Sequence, residues 1–345
     1  MAPISVVRRV CTILATVLII VSPLTAASKA VRIIQTNAAG DNVHLIDPAT
    51  NKVVGIVENI EVPHGVTTAP DGTRVYFTNE SLSTVDVVDA RTLKIVKRVP
   101  LTGHPNNIAV SKDGRKVYAG IASPPGAVDV IDTATLTNVK SVKVDGRVHN
   151  VYVTPDGKYA VSGSVASSVV TVIDTKTDEV AWSVKLSAGV RPMTFDTNPD
   201  GSTKRIFVQL SGFHGFVAVD FATHREVARI QLPEFPGDEK ELEGLQGSPS
   251  HGLAVTADGK TLLATSKWYG RLYTYSLPDL KFIGSVVAGS HPEWITLTPD
   301  GKTVYVALAG DDEVAAIDIK ALKVVARIKV GYVPKRNGTG LLLTN

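Results

Sequence analysis

Five of the eight histidines in this 345-residue chain recur at one place in a repeating pattern. His64, His104, His149, His251 and His291 each stand just before a short apolar run, and Arg191 takes the place where the series skips a histidine. Neutral imidazole is a common ligand for zinc, copper, iron and nickel. Three imidazoles with an open position make a centre that activates water or polarises a carbonyl. Glu293, two residues after His291, suits a further ligand or a general base, Glu80 a second proton carrier, and Arg191 an anion anchor. The same places also have a structural use, tying down turn backbone ahead of a strand. His104-Pro105 and His291-Pro292 suit that use better than His64-Gly65, His149-Asn150 and His251-Gly252.

Residues so far apart in sequence meet only if a repeated element brings them together. The stretch His291 to Val330 shows that element: four runs of strand length, rich in Val, Ile and Thr, separated by turns such as Pro299-Asp300-Gly301 and Gly310-Asp311-Asp312. The Asp-Gly turn recurs at 71, 113, 156, 200, 258 and 300, and units start near 64, 104, 149, 191, 251 and 291. A four-stranded unit with a period in the forties predicts an all-β chain, a β-propeller of antiparallel blades. Residues 31–61 read as a blade without its first strand, and 338–344 offer one lone strand. The expectation is therefore seven blades in a single domain over 31–345, the first blade closed by the C-terminal strand. Six blades is the alternative, because the 191 to 251 interval is irregular. There the acidic, then Gly/Ser/Pro-rich segment 234–250 interrupts the repeat and reads as a functional or disordered loop.

In such a ring the residue before each inner strand sits at the mouth of the central channel. Five of the seven mouth positions become histidine, Arg191 the sixth and Val333 the last, with Lys335 and Arg336 close behind. Loops on the same rim carry Glu80, His214, Lys267, Trp268 and Tyr269. Trp268 and Tyr269 in a polar loop suit stacking on a planar or sugar-like ligand, or packing beneath the 234–250 insertion. The metal-ligand candidates are thus His64, His104, His149, His251 and His291. The catalytic candidates are Glu293, Arg191 and Glu80, and the substrate contacts Trp268, Tyr269, His214 and Lys267.

The N-terminus departs from the pattern. Arg8-Arg9, an apolar run from Val10 to Val21 and small residues up to Ala27 predict a secretory signal over 1–27, with a periplasmic or secreted product that keeps no membrane contact after cleavage. Cys11, the sole cysteine, falls inside that leader, so thiolate chemistry and disulfides are excluded from the mature chain. The formal net charge is only +3, two of it in the leader, and no basic run with interleaved aromatics exists. Nucleic acid is not an expected partner; a small molecule is, with a protein partner left open.

The segments His104-Pro105-Asn106-Asn107-Ile108-Ala109-Val110, Tyr152-Val153-Thr154-Pro155-Asp156-Gly157 and Val304-Tyr305-Val306 resemble the YVTN-type seven-bladed propeller repeats. The resemblance covers nearly the whole mature chain and implies the fold. Its relatives include the haem-bearing propeller of a nitrite reductase, the copper propeller of nitrous oxide reductase, and lactonase-like and lyase-like enzymes, so it implies no single activity. No C-x-x-C-H, phosphate loop or G-x-S-x-G elbow is present, which excludes a covalent c-type haem but leaves a noncovalent haem-like cofactor open. The expected function is a metal-dependent hydrolase or lyase using zinc, copper or iron. The alternatives are a non-catalytic propeller that binds a protein or cell wall, and a haem-like cofactor binder.

Overall fold

The computed structural model describes residues 1–4 and 28–344, so the expected leader lies almost wholly outside the described residues. Seven four-stranded antiparallel sheets form a closed ring. In the last unit, Pro292–Leu297, Thr303–Leu308, Glu313–Asp318 and Lys323–Lys329 pair in sequence order from the axis outwards. Among the described residues no helix is long and apolar enough to cross a membrane.

The turn chemistry explains the repeat. Asp300 Oδ1 accepts hydrogen bonds from Thr298 Oγ1 at 2.6 Å and from the Lys302 amide at 3.1 Å, and Gly301 takes a φ of 67° that a side chain would resist. The second strand of each unit then packs on both faces. Val75 and Phe77 join Ile34 and Leu342 on one side, while Tyr76 joins Val117 and Ala119 on the other. A strand apolar on both faces reads as a continuous run, which is why these segments lack polar alternation. Outer strands such as Glu179–Lys185 keep one face exposed.

Closure follows the expected route. Ser28–Asn37 pairs antiparallel with Pro334–Thr344, placing Val31 opposite Leu341 and Ile34 opposite Gly338. The closing strand starts at Pro334, four residues before Gly338, and this extension carries Lys335 and Arg336 into the channel wall.

Candidate functional site

Each inner strand carries the same irregularity near the mouth. Pro63 pairs with Asn79 and Val66 with Phe77, so His64 and Gly65 together face the single residue Thr78. Equivalent bulges occur at Asn106-Asn107, His149-Asn150, Arg191-Pro192, His251-Gly252, Glu293-Trp294 and Lys335-Arg336. A bulge re-aims a side chain where a strand approaches a site. Threonines hold three of them. Thr78 Oγ1 accepts from the Gly65 amide and donates to the Asn106 carbonyl of the next blade, and Thr265 and Thr36 make the same two bonds at Gly252 and Arg336.

This register corrects the expected ring. Its seven members are His64, Asn106, His149, Arg191, His251, Glu293 and Lys335. His104 and His291 stand two places earlier, on the rim, as does Val333. In all three cases the next residue is the proline that starts the inner strand. Of the five histidines expected in the ring, the two followed by proline lie outside it and the three followed by glycine or asparagine lie in it.

The ring encloses an upper chamber of about 440 Å³, lined by His64, His149, Arg191, His251 and Lys335 together with Glu80. Two carboxylate–imidazole pairs flank it. The Glu80 carboxylate closes on His64 Nδ1 and reaches His104 Nε2 at 3.5 Å. Glu293 Oε2 lies 3.0 Å from His251 Nδ1, close enough for charge pairing though not directed as a hydrogen bond. Glu293 Oε1 accepts from Lys267 at 2.8 Å and stands 3.5 Å from Lys335. The His149 and His251 ring centroids are 6.3 Å apart.

Burial keeps the ring imidazoles neutral. His149 and His251 are held well below the ordinary histidine range, first by desolvation and then by nearby cations, Arg336 at His149 and Lys267 at His251. His64 moves down for the same reasons, with Arg336 the leading cation and Glu80 opposing. Desolvation alone would raise Glu80 and Glu293. His64, His104 and Arg336 together outweigh it for Glu80, and Lys335 and Lys267 together outweigh it for Glu293, so both carboxyls end below their usual range.

The 234–250 insertion arches over the mouth as an ordered strap. Arg271 grips Asp238, Ser290 Oγ donates to Glu241 at 2.9 Å, and His291 Nε2 stands 3.3 Å from that carboxylate. Its tip reaches the chamber: Arg191 Nη2 donates to the Gln246 carbonyl at 2.6 Å, and Lys335 Nζ lies 3.4 Å from Gln246 Oε1. The four expected substrate contacts serve other ends. Trp268 stacks on His214 at 5.1 Å and receives Lys240 over its ring, and its carbonyl accepts from the Glu241 amide. Tyr269 packs edge-on to His214, and Lys267 is buried on Glu293. These residues foot the strap and brace the ring; none lines the upper chamber.

Below the ring, the second bulge residues close the channel. The Arg336 guanidinium lies 3.7 Å over the Trp294 ring and donates to the side chain of Asn106, to Asn150 Oδ1 at 3.3 Å and to the His149 carbonyl at 3.3 Å. The sequence places Arg336 only near the mouth, behind Val333, and Trp294 carries no sequence signal as a site residue; the repeated bulge marks the position of both.

The donor set decides which groups suit the chamber. Among the described residues no three of His, Cys, Asp and Glu stand close enough to hold a metal ion, so the expected multi-histidine metal cluster does not form. One ligand nitrogen backed by a carboxylate does occur, twice. With Nδ1 beside Glu80 or Glu293, His64 and His251 would each offer Nε2 as the lone-pair nitrogen once that contact becomes a directed hydrogen bond, the arrangement that raises the basicity of a metal-binding imidazole. That suits a group that brings its own equatorial ligands, such as a haem, with Arg191 and Lys335 available to its carboxylates.

A family model described as "Cytochrome D1 heme domain" matches residues 29–156, which include Glu80, His64, His104 and His149. No curated protein sequence matches significantly. Among solved structures the chain is similar to hydrazine synthase of Kuenenia stuttgartiensis (22% identity, TM-score 0.71, 87% of this chain and 99% of that one). It is also similar to the dihydro-heme d1 dehydrogenase NirN, solved in complex with DHE (20% identity, TM-score 0.64, 86% of this chain and 63% of that one). A third likeness is to the periplasmic gluconolactonase PpgL of Pseudomonas aeruginosa (19% identity, TM-score 0.72, 90% of this chain and all of that one). At these identities the likeness is one of fold, and it bears out the resemblance to seven-bladed propeller repeats.

Proposed function

We propose that the protein is an exported, periplasmic propeller whose upper chamber binds a planar, carboxylate-bearing cofactor of the haem-like class. The observation that carries this reading is the pair of imidazoles beside carboxylates, His64 and His251, next to two cations, Arg191 and Lys335, that both reach the neutral tip of the strap. The family match over residues 29–156 supports it. His64 or His251 would hold the group through Nε2, Glu80 and Glu293 would orient those imidazoles, and Arg191 and Lys335 would take its carboxylates after Gln246 moves aside. Once bound, such a group supplies redox or axial-ligand chemistry. The test is titration of the purified chain with haemin. The reading expects a shifted Soret band that is lost in a His64→Ala, His251→Ala double variant and weakened in Arg191→Ala. Haemin absorbance that is the same in wild type and double variant sinks it.

A second reading is acid–base hydrolysis or elimination on a small anionic ester or lactone. It is favoured by the tautomers of the facing imidazoles. Asn150 Nδ2 donates to His149 Nδ1 at 2.7 Å, leaving His149 Nε2–H as a donor, whereas His251 is backed by a carboxylate as a base. His251 would take a proton from water while His149 steadies the developing oxyanion. A zinc, copper or iron version needs a further ligand from the substrate or a moved side chain. Hydrolysis of δ-gluconolactone, assayed with and without added zinc, should fall in His149→Ala and in His251→Ala; equal rates in all three proteins remove this reading.

A further inference from the structure

The channel has a second chamber on the far side of the Arg336–Trp294 partition. It also measures about 440 Å³, and Arg336, Trp294, Tyr152 and Asn337 line it together with the second halves of the inner strands. Four residues beyond the ring positions, five blades place an apolar side chain in its wall: Val110, Val153, Phe195, Val255 and Leu297. All five are only half buried, although each sits on an innermost strand. Their open side is the chamber itself.

Arg336 is 1% exposed, yet its bonding is that of a cation lacking its counter-ion. Its acceptors are two amide oxygens and a carbonyl, its Nε has no partner among the described residues, and the nearest carboxylates, Glu80 and Glu293, act on it only from beyond ion-pair distance. Of the other buried cations here, Lys267 has Glu293 at 2.8 Å, and Arg191 is held by the Ser211 hydroxyl and the Gln246 carbonyl at the tip of the strap. A buried charge without a directly paired opposite charge is costly, and amides, an aromatic face and distant carboxylates offset that cost only in part.

We propose that the lower chamber is a separate binding site for a small monocarboxylate with an apolar body. The carboxylate would meet Arg336 and the body would lie against the apolar collar. The charge selects an anion, the collar selects a hydrocarbon portion, and the volume falls in the range of small-molecule pockets. This site opens towards the rim of the Asp-Gly turns, opposite the strap, and does not depend on the upper chamber being occupied.

The experiment is titration of the whole mature chain with octanoate and benzoate, read by tryptophan fluorescence, because Trp294 lies against Arg336. Octanamide and sodium chloride serve as controls. Octanoate should bind and octanamide should bind roughly ten- to hundredfold more weakly, the loss expected for a charged hydrogen-bonded pair. Arg336→Met should weaken octanoate by a similar factor. Because Arg336 also closes the partition, a second variant leaves it in place: Ala109→Phe fills the half-buried wall of the chamber and should abolish octanoate binding while haemin titration of the upper chamber is unchanged. Three results each overturn the proposal: octanamide binding as well as octanoate, chloride alone giving the full response, or octanoate binding lost in Arg191→Ala but retained in Ala109→Phe.

Discussion

The two chambers of the channel lie along the same inner strands, a few residues apart, and differ in which ionisable groups they hold. The upper one is lined by the first residue of each bulge: imidazoles, cations, an amide and, just beneath, a carboxylate. There Glu293 is paired with Lys267, Glu80 and Glu293 also stand against the neutral imidazoles of His64 and His251, and Arg191 is held by a hydroxyl and a carbonyl. The lower one is walled by regular strand residues, the apolar collar alternating with Thr67, Thr194 and Thr296, and holds the cation Arg336 with no carboxylate of the described residues at ion-pair distance. A propeller's inner edge is repetitive backbone. It becomes a site only where a bulge turns side chains towards the axis, and the residue that follows the bulge decides whether the channel stays open.

The sharpest test of that contrast compares the loss of a paired charge with the loss of an unpaired one. Glu293→Ala strips Lys267 of its partner inside the ring and should destabilise the fold by about 3–5 kcal/mol in urea denaturation. Arg336→Met removes a cation that has no counter-ion, along with three hydrogen bonds to neutral acceptors. It should cost less, no more than about 2 kcal/mol by the same measurement. Equal costs would show that the two charges are balanced alike and would undo the contrast.

A smaller effect concerns pH. His149 and His251 titrate in the folded chain well below their ordinary 6.5, so the unfolded chain binds more protons once the pH drops under that value. Their contribution to stability is complete above about pH 6.5 and is lost as the pH falls. The depressed Glu80 and Glu293 add a further loss below their ordinary 4.5. Denaturation midpoints should therefore drop between pH 7.5 and pH 5.5, and less so in a His149→Gln, His251→Gln double variant. Substitutions in the lower collar, such as Val153→Leu, should leave the slope of that dependence as it is.

The smallest effect is at the strap. Gln246 adopts a φ of 52°, a left-handed value that glycine takes freely. Gln246→Gly should alter stability by less than about 1 kcal/mol. It should speed haemin association with the upper chamber and leave octanoate association with the lower one unaltered, as read by stopped-flow fluorescence.

Much of the architecture could be read from residue types. The Asp-Gly turns, the apolar strands and the lone strand near Leu341–Leu343 led to seven blades and to the closure by Pro334–Thr344. The ring was read in part: His64, His149, Arg191 and His251 fall in it, while His104 and His291 were placed there by counting back from the apolar run. The error is two residues, and its marker was present, because a proline opening the inner strand pushes the preceding histidine onto the rim. Trp268, Tyr269 and His214 are polar-loop aromatics by sequence and strap footing by structure, since the insertion lies on them.

Local chemistry was therefore enough to determine the blade, because turn residues and two-faced apolar strands act over a few residues and repeat with the period. It also marked the histidines as a set. Which residues face the axis, and that Arg336 and Trp294 meet to split the channel, was decided only by the closed ring. Those two side chains belong to neighbouring inner strands at the seam, and each is aimed by a bulge that exists only as a mismatch between two paired strands, a property no single strand possesses.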